Sequence, residues 1–133
     1  MPEFGQNIEF ARAAALAAVE ALVAPVEAAE VPSPARALIY ERKLAQARAL
    51  QEGGDPRADY GFLDVDAALE GITRDEAAAN VIAEFNRLRL IAERLEGFRR
   101  RLKRRLTAAA TVAEIRAIEG EITAARLQAA LSA

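Results

Sequence analysis

Apolar residues recur at three-to-four spacing along most of the chain, the period of one face of an α-helix. Over residues 6–30, Ile8, Ala15, Leu16, Val19, Leu22, Val23 and Val26 form one stripe, with Asn7 placed to cap the first turn. Half of the remaining residues there are Ala, which allows helices to approach closely but buries little area per residue. Pro25 removes a backbone donor inside this pattern and predicts a kink or an early end. Val31-Pro32-Ser33-Pro34 then stops the helix, because a residue before proline is driven to extended conformations, and the main domain boundary is expected here.

Ser33 and Pro34 also suit the start of a second helix, which would carry Leu38, Ile39, Ala45 and Leu50 inward and end at Gly53-Gly54. A turn-rich stretch over 55–61 precedes a short helix through Phe62, Leu63, Val65 and Leu69 that ends at Gly71. Thr73-Arg74-Asp75-Glu76 has capping-box spacing and opens a long helix to about Leu106, about 50 Å at 1.5 Å per residue. Its stripe is Val81, Phe85, Leu88, Ile91, Leu95, Phe98, Leu102 and Leu106, with a short step between Leu88 and Ile91. Thr111-Val112-Ala113-Glu114 repeats the capping spacing and opens a last helix through Ile115, Ile118, Ile122 and Leu127, antiparallel to the long one. The expected fold is all-α: a helical bundle over 33–133 with one long spine helix, preceded by an Ala-rich amphipathic N-terminal helix over 1–32.

Composition agrees, since Ala, Leu, Arg and Glu dominate and strand-favouring residues are sparse. With no cysteine and no histidine, the chain lacks the commonest zinc, haem and iron–sulfur ligands, the usual general base and every Ser-His or Cys-His pair. An enzyme, a resident cofactor and a small-molecule substrate are therefore not expected. The weakly charged stretch from Ala13 to Val26 is mostly Ala and contains Glu20 and Pro25, so no membrane span is expected either. The first residues lack the basic flank and apolar run of a secretory signal, which points to the cytoplasm or an assembly made there.

The conspicuous charged feature is Arg99, Arg100, Arg101, Lys103, Arg104 and Arg105, six cations within seven residues. Phosphate binding, a solvated helix end and pairing with acids are the competing readings. Residues 55–86 hold eight acids against two bases and residues 87–105 nine bases against two acids, which favours pairing within the chain or with a neighbour. Without interleaved aromatics or a recognised motif, nucleic acid is not the expected partner. Asp64 with Asp66, and Asp75 with Glu76, are read as acids favoured near helix starts rather than as cation ligands.

From Ala35 to about Ile118 the chain resembles a small helical domain of tailed-bacteriophage tail and tail-fibre proteins and related prophage or gene-transfer particles. The likeness rests on Lys43-Leu44-Ala45-Gln46-Ala47, Tyr60-Gly61-Phe62-Leu63, Ala67 to Ala77, Val81-Ile82, Ile91 to Arg101 and Leu106 to Ile115, with Gly61 where that pattern has proline. It implies a structural or assembly component of a virion, made in the bacterial cytoplasm, that meets other virion proteins and further copies of itself. The alternative is an assembly chaperone or adaptor that binds a partner helix and leaves. Leu16, Val19, Leu22, Val23 and Val26 are the expected protein-contact residues, and the run from Arg99 to Arg105 a further electrostatic contact.

Overall fold

The computed structural model describes residues 4–55 and 57–133. Its described residues form α1 (Phe4–Glu30), α2 (Pro34–Gln51), α3 (Gly61–Glu70), α4 (Arg74–Ala108), α5 (Val112–Glu119) and α6 (Ala124–Ser132), and no strand. The all-α class and the long α4 are as the periodicity predicts. The helices divide into two compact units, one made of residues up to Val31 together with Ile91–Ala133, the other of Pro32–Leu90. The boundary expected at Val31-Pro32-Ser33-Pro34 is present, but a second lies inside uninterrupted α4, between Leu90 and Ile91. The short step from Leu88 to Ile91 falls at that second boundary. The steps from Phe85 to Leu88 and from Leu88 to Ile91 are both three residues long, a departure from the regular alternation of a single stripe.

In the first unit, Ala15, Val19 and Val23 lie one turn apart on α1 and are fully buried. They share a core with Leu95, Phe98, Leu102 and Leu106 of α4, Ile115 and Ile118 of α5, and Leu127 of α6. Leu16, Leu22 and Val26 are half-buried against the same core. This corrects the expectation of an N-terminal interaction arm over 1–32 and a separate bundle over 33–133. The small residues of α1 let it sit close to large side chains that α4, α5 and α6 supply, and those side chains would otherwise face water. Pro25 neither ends nor interrupts α1, because it lies on the exposed side, where the Ala21 carbonyl deprived of its helical donor can reach solvent.

Two arginines close helix ends in this unit. The Arg12 guanidinium donates from Nε to the Leu106 carbonyl at 3.0 Å and from Nη2 to the Ala109 carbonyl at 2.8 Å, at the end of α4. Arg94 Nη1 donates to the Leu131 carbonyl at 2.6 Å, in the last turn of α6. Each places a cation at the negative pole of a helix and satisfies carbonyls that have no helical donor.

The second unit packs Ala47 of α2, Tyr60, Leu63 of α3 and Ala78 of α4 in its centre, with Ala49, Leu50, Val81 and Ile82 against them. The inward face of α2 is only partly the expected one: Leu50 packs against this core and Leu44 and Ala47 are buried, while Leu38, Ile39 and Ala45 are exposed. Phe85 is half-buried, with the Arg48 guanidinium 5.4 Å from its ring centre.

The local start and stop signals act as read. Ser33 accepts from Arg36 N at 3.4 Å. Thr73 Oγ1 accepts from Glu76 N at 3.1 Å while Glu76 accepts from Thr73 N at 3.2 Å, a complete capping box. Gly53 and Gly71 adopt φ of +76° and +66°, the left-handed conformation that ends α2 and α3. The expected single last helix is instead two. Thr123 Oγ1 caps α6 by accepting from Arg126 N at 3.2 Å, after a break over Gly120–Ile122.

Candidate functional site: the basic run, a polar clasp and exposed apolar ridges

The six cations of the basic run separate by helix face. Arg99 is the most enclosed, with Nη2 2.6 Å from a Glu27 carboxylate oxygen, Nη1 3.0 Å from Glu96 and Nε 3.3 Å from Glu20. Lys103 Nζ lies 2.6 Å from the same Glu20 oxygen. Arg100 pairs with Glu96 at 2.8 Å and Arg105 with Glu121 at 2.6 Å. Arg101 and Arg104 are exposed, and no ion pair engages them among the described residues. Four of the six cations are therefore paired within the chain. Their acids are Glu20, Glu27, Glu96 and Glu121 rather than the acidic segment 55–86. The sequence reading missed Glu20 and Glu27 because it set α1 apart from the bundle.

Electrostatic shifts follow these pairs. The Lys103 ammonium, and after it the Arg99 guanidinium, hold the Glu20 carboxyl below its ordinary range despite partial desolvation. Arg100, then Arg99, lower Glu96, and Arg105, then Arg126, lower Glu121. The Arg99 guanidinium is pushed upward, chiefly by its hydrogen bond to Glu27.

In the second unit, residues of α2, α3 and the start of α4 form a polar clasp. Gln46 Oε1, reaching from α2, accepts from Phe62 N at 3.1 Å and Leu63 N at 3.4 Å. It thus caps the first turn of α3, which begins after Tyr60 with no side-chain cap of its own. Lys43 Nζ lies 3.0 Å from Asp66, linking α2 to α3 a second time. The Arg74 guanidinium grips Asp64 through two hydrogen bonds of 2.7 and 2.9 Å and lies 4.8 Å from the centre of the Tyr60 ring. That grip lowers the Asp64 carboxyl below its ordinary range. Tyr60 is buried, and its hydroxyl donates to the Asp55 carbonyl at 3.1 Å. Gly54 is required beside it, since an added Cβ would come within 2.5 Å of the Ala49 carbonyl oxygen and 2.9 Å of the Tyr60 hydroxyl. These contacts hold α2, α3 and the start of α4 together. Asp64 and Asp66 spend their charge on Arg74 and Lys43. Among the described residues no group of three or more Asp or Glu side chains converges as a metal site would.

Of the five expected contact residues of α1, Val19 and Val23 are buried and Leu16, Leu22 and Val26 half-buried inside their own unit, and the large apolar side chains that are most exposed lie elsewhere. Large apolar side chains stand in water at Leu38 and Ile39 of α2, Val65 and Leu69 of α3, Leu90 of α4 and Phe10 of α1. None of the described helices is long and apolar enough to cross a membrane. Sequence reasoning had placed Leu38 and Ile39 inward, because the helical period alone does not tell an inward stripe from an outward one.

Against known proteins, no family model, no curated protein and no solved structure matches this chain.

Proposed function

We propose that the chain is a structural or assembly component of a phage-like particle that works through helix-mediated contacts with other virion proteins and with further copies of itself. The resemblance over residues 35–118 suggests the setting. The observation that carries the contact role is the set of large apolar side chains exposed on α2, α3 and α4: Leu38, Ile39, Val65, Leu69 and Leu90. Exposing them costs solvation free energy that a partner would recover. Of the charged groups beside them on α3, Asp64 and Asp66 are already paired within the chain, with Arg74 and Lys43, so the apolar residues are the larger available source of contact energy. A partner would meet the second unit and not the buried stripe of α1.

The test is quantitative mass spectrometry of particles purified from the strain that encodes the chain. A structural component appears in mature particles at fixed stoichiometry. An assembly chaperone is abundant in the lysate and missing from the particles, and that outcome would move the function to the adaptor class. Absence from both particles and their assembly intermediates would remove the particle reading altogether.

A further inference from the structure

We propose that a second copy of this chain lays its α3 helix into the groove between the C-terminal half of α4 and α6. The inference rests on the interaction-protein reading above and deepens it by naming one partner. The donor surface is an apolar ridge on α3. Phe62, Val65 and Leu69 stand at successive turns on the side opposite the buried Leu63, with Val65 57% and Leu69 81% exposed. All the charges on this helix are acidic: Asp64, Asp66 and Glu70. The first two are held by Arg74 and Lys43, while Glu70 is exposed with no ion pair among the described residues.

The acceptor is a groove of about 560 Å³ floored by Phe98 and Leu102 of α4 and walled by Ala125 and Ala129 of α6. Its rim is cationic. Arg101, Arg105 and Arg126 border it with Glu121 as the single acid. Glu121 is already shared, 2.6 Å from Arg105 and 3.4 Å from Arg126, which leaves Arg101 unneutralised. The alanines let a helix backbone come close while the apolar floor receives side chains, the arrangement by which an amphipathic helix is held in a groove. Charge then selects the partner: an acidic, two-faced helix of about 15 Å is what this rim attracts, and α3 is such a helix on the same chain. Because ridge and groove are different surfaces, the contact is head-to-tail and continues into a ring or an open chain instead of stopping at two copies.

Sedimentation velocity of the full chain across a wide concentration range tests this at modest salt. Association should rise with concentration and weaken as salt is added. Leu69→Asp and Arg101→Glu should each weaken it about tenfold or more, while circular dichroism stays unchanged because both positions are exposed. Glu70→Arg should weaken it as well, and the chain carrying both Glu70→Arg and Arg101→Glu should recover association by restoring opposite charges. A chain that stays monomeric throughout overturns the proposal, and so does association indifferent to Leu69→Asp and Arg101→Glu. Either failure leaves particle membership to be decided by mass spectrometry, so the two readings fail separately.

Discussion

Val19→Ala is the perturbation whose size follows most directly from the packing of α1. Val19 is fully buried among Phe98, Leu102, Leu106 and Ile115 of its core. The substitution removes two carbons, about 1.6 kcal/mol of transfer free energy at about 0.8 kcal/mol per buried carbon. An unfilled space of roughly 30 Å³ adds about 0.7 kcal/mol. Ala returns about 0.5 kcal/mol through its better helix propensity. The net loss should be about 1.5 to 2.5 kcal/mol. Urea unfolding followed by circular dichroism measures it, while fluorescence of Tyr40 and Tyr60, the two tyrosines of the chain, reports on the second unit alone. The same change at exposed Val65 serves as a control and should stay within about 0.5 kcal/mol. If Val19→Ala costs under about 0.5 kcal/mol, α1 does not contribute to the core as described and the arm reading returns.

Other perturbations probe the second unit and the ion pairs. Gln46→Ala leaves Phe62 N and Leu63 N without their acceptor and should cost about 1 to 2 kcal/mol in urea unfolding read by tyrosine fluorescence. Phe85→Ala should cost about 1 to 2 kcal/mol, less than the 3 to 5 kcal/mol of a fully enclosed aromatic, because the ring is half-buried under Arg48. Glu20, Glu96 and Glu121 are held below their ordinary value of 4.5, so their stabilisation is fully present above that value. It is lost as pH falls through their lower folded-state values, and a pH series of thermal melts at low salt should show stability declining below about pH 4.5.

What was legible in the sequence was local. Ser33, Thr73 and Thr111 cap helices because a hydroxyl and a backbone amide three residues on need nothing distant to meet. Gly53 and Gly71 end helices for the same kind of reason. The buried stripe of Ala15, Val19 and Val23 was legible as a stripe, but periodicity does not say what covers it, and its cover lies more than seventy residues away in sequence. The second domain boundary left only the short step before Ile91, with no glycine or proline to mark it. The break before α6 was hidden because Ile115, Ile118 and Ile122 keep helical spacing past the end of α5, although Gly120, the five-residue step from Ile122 to Leu127 and the cap at Thr123 were there to be read. Gln46 had no sequence signal, since its acceptor oxygen serves amides of another helix.

Native-state hydrogen exchange resolved along α1 tests most directly the claim that this helix belongs to the core and leaves contact with partners to the exposed ridges of α2 and α3. Amides around Val19 and Val23 should exchange as slowly as those around Leu102 and Leu106, all opening only with the unit they share. If α1 exchanges at rates close to those of an unstructured segment while Leu102 and Leu106 remain protected, α1 is not part of that core and the surface assignments built on its burial are wrong.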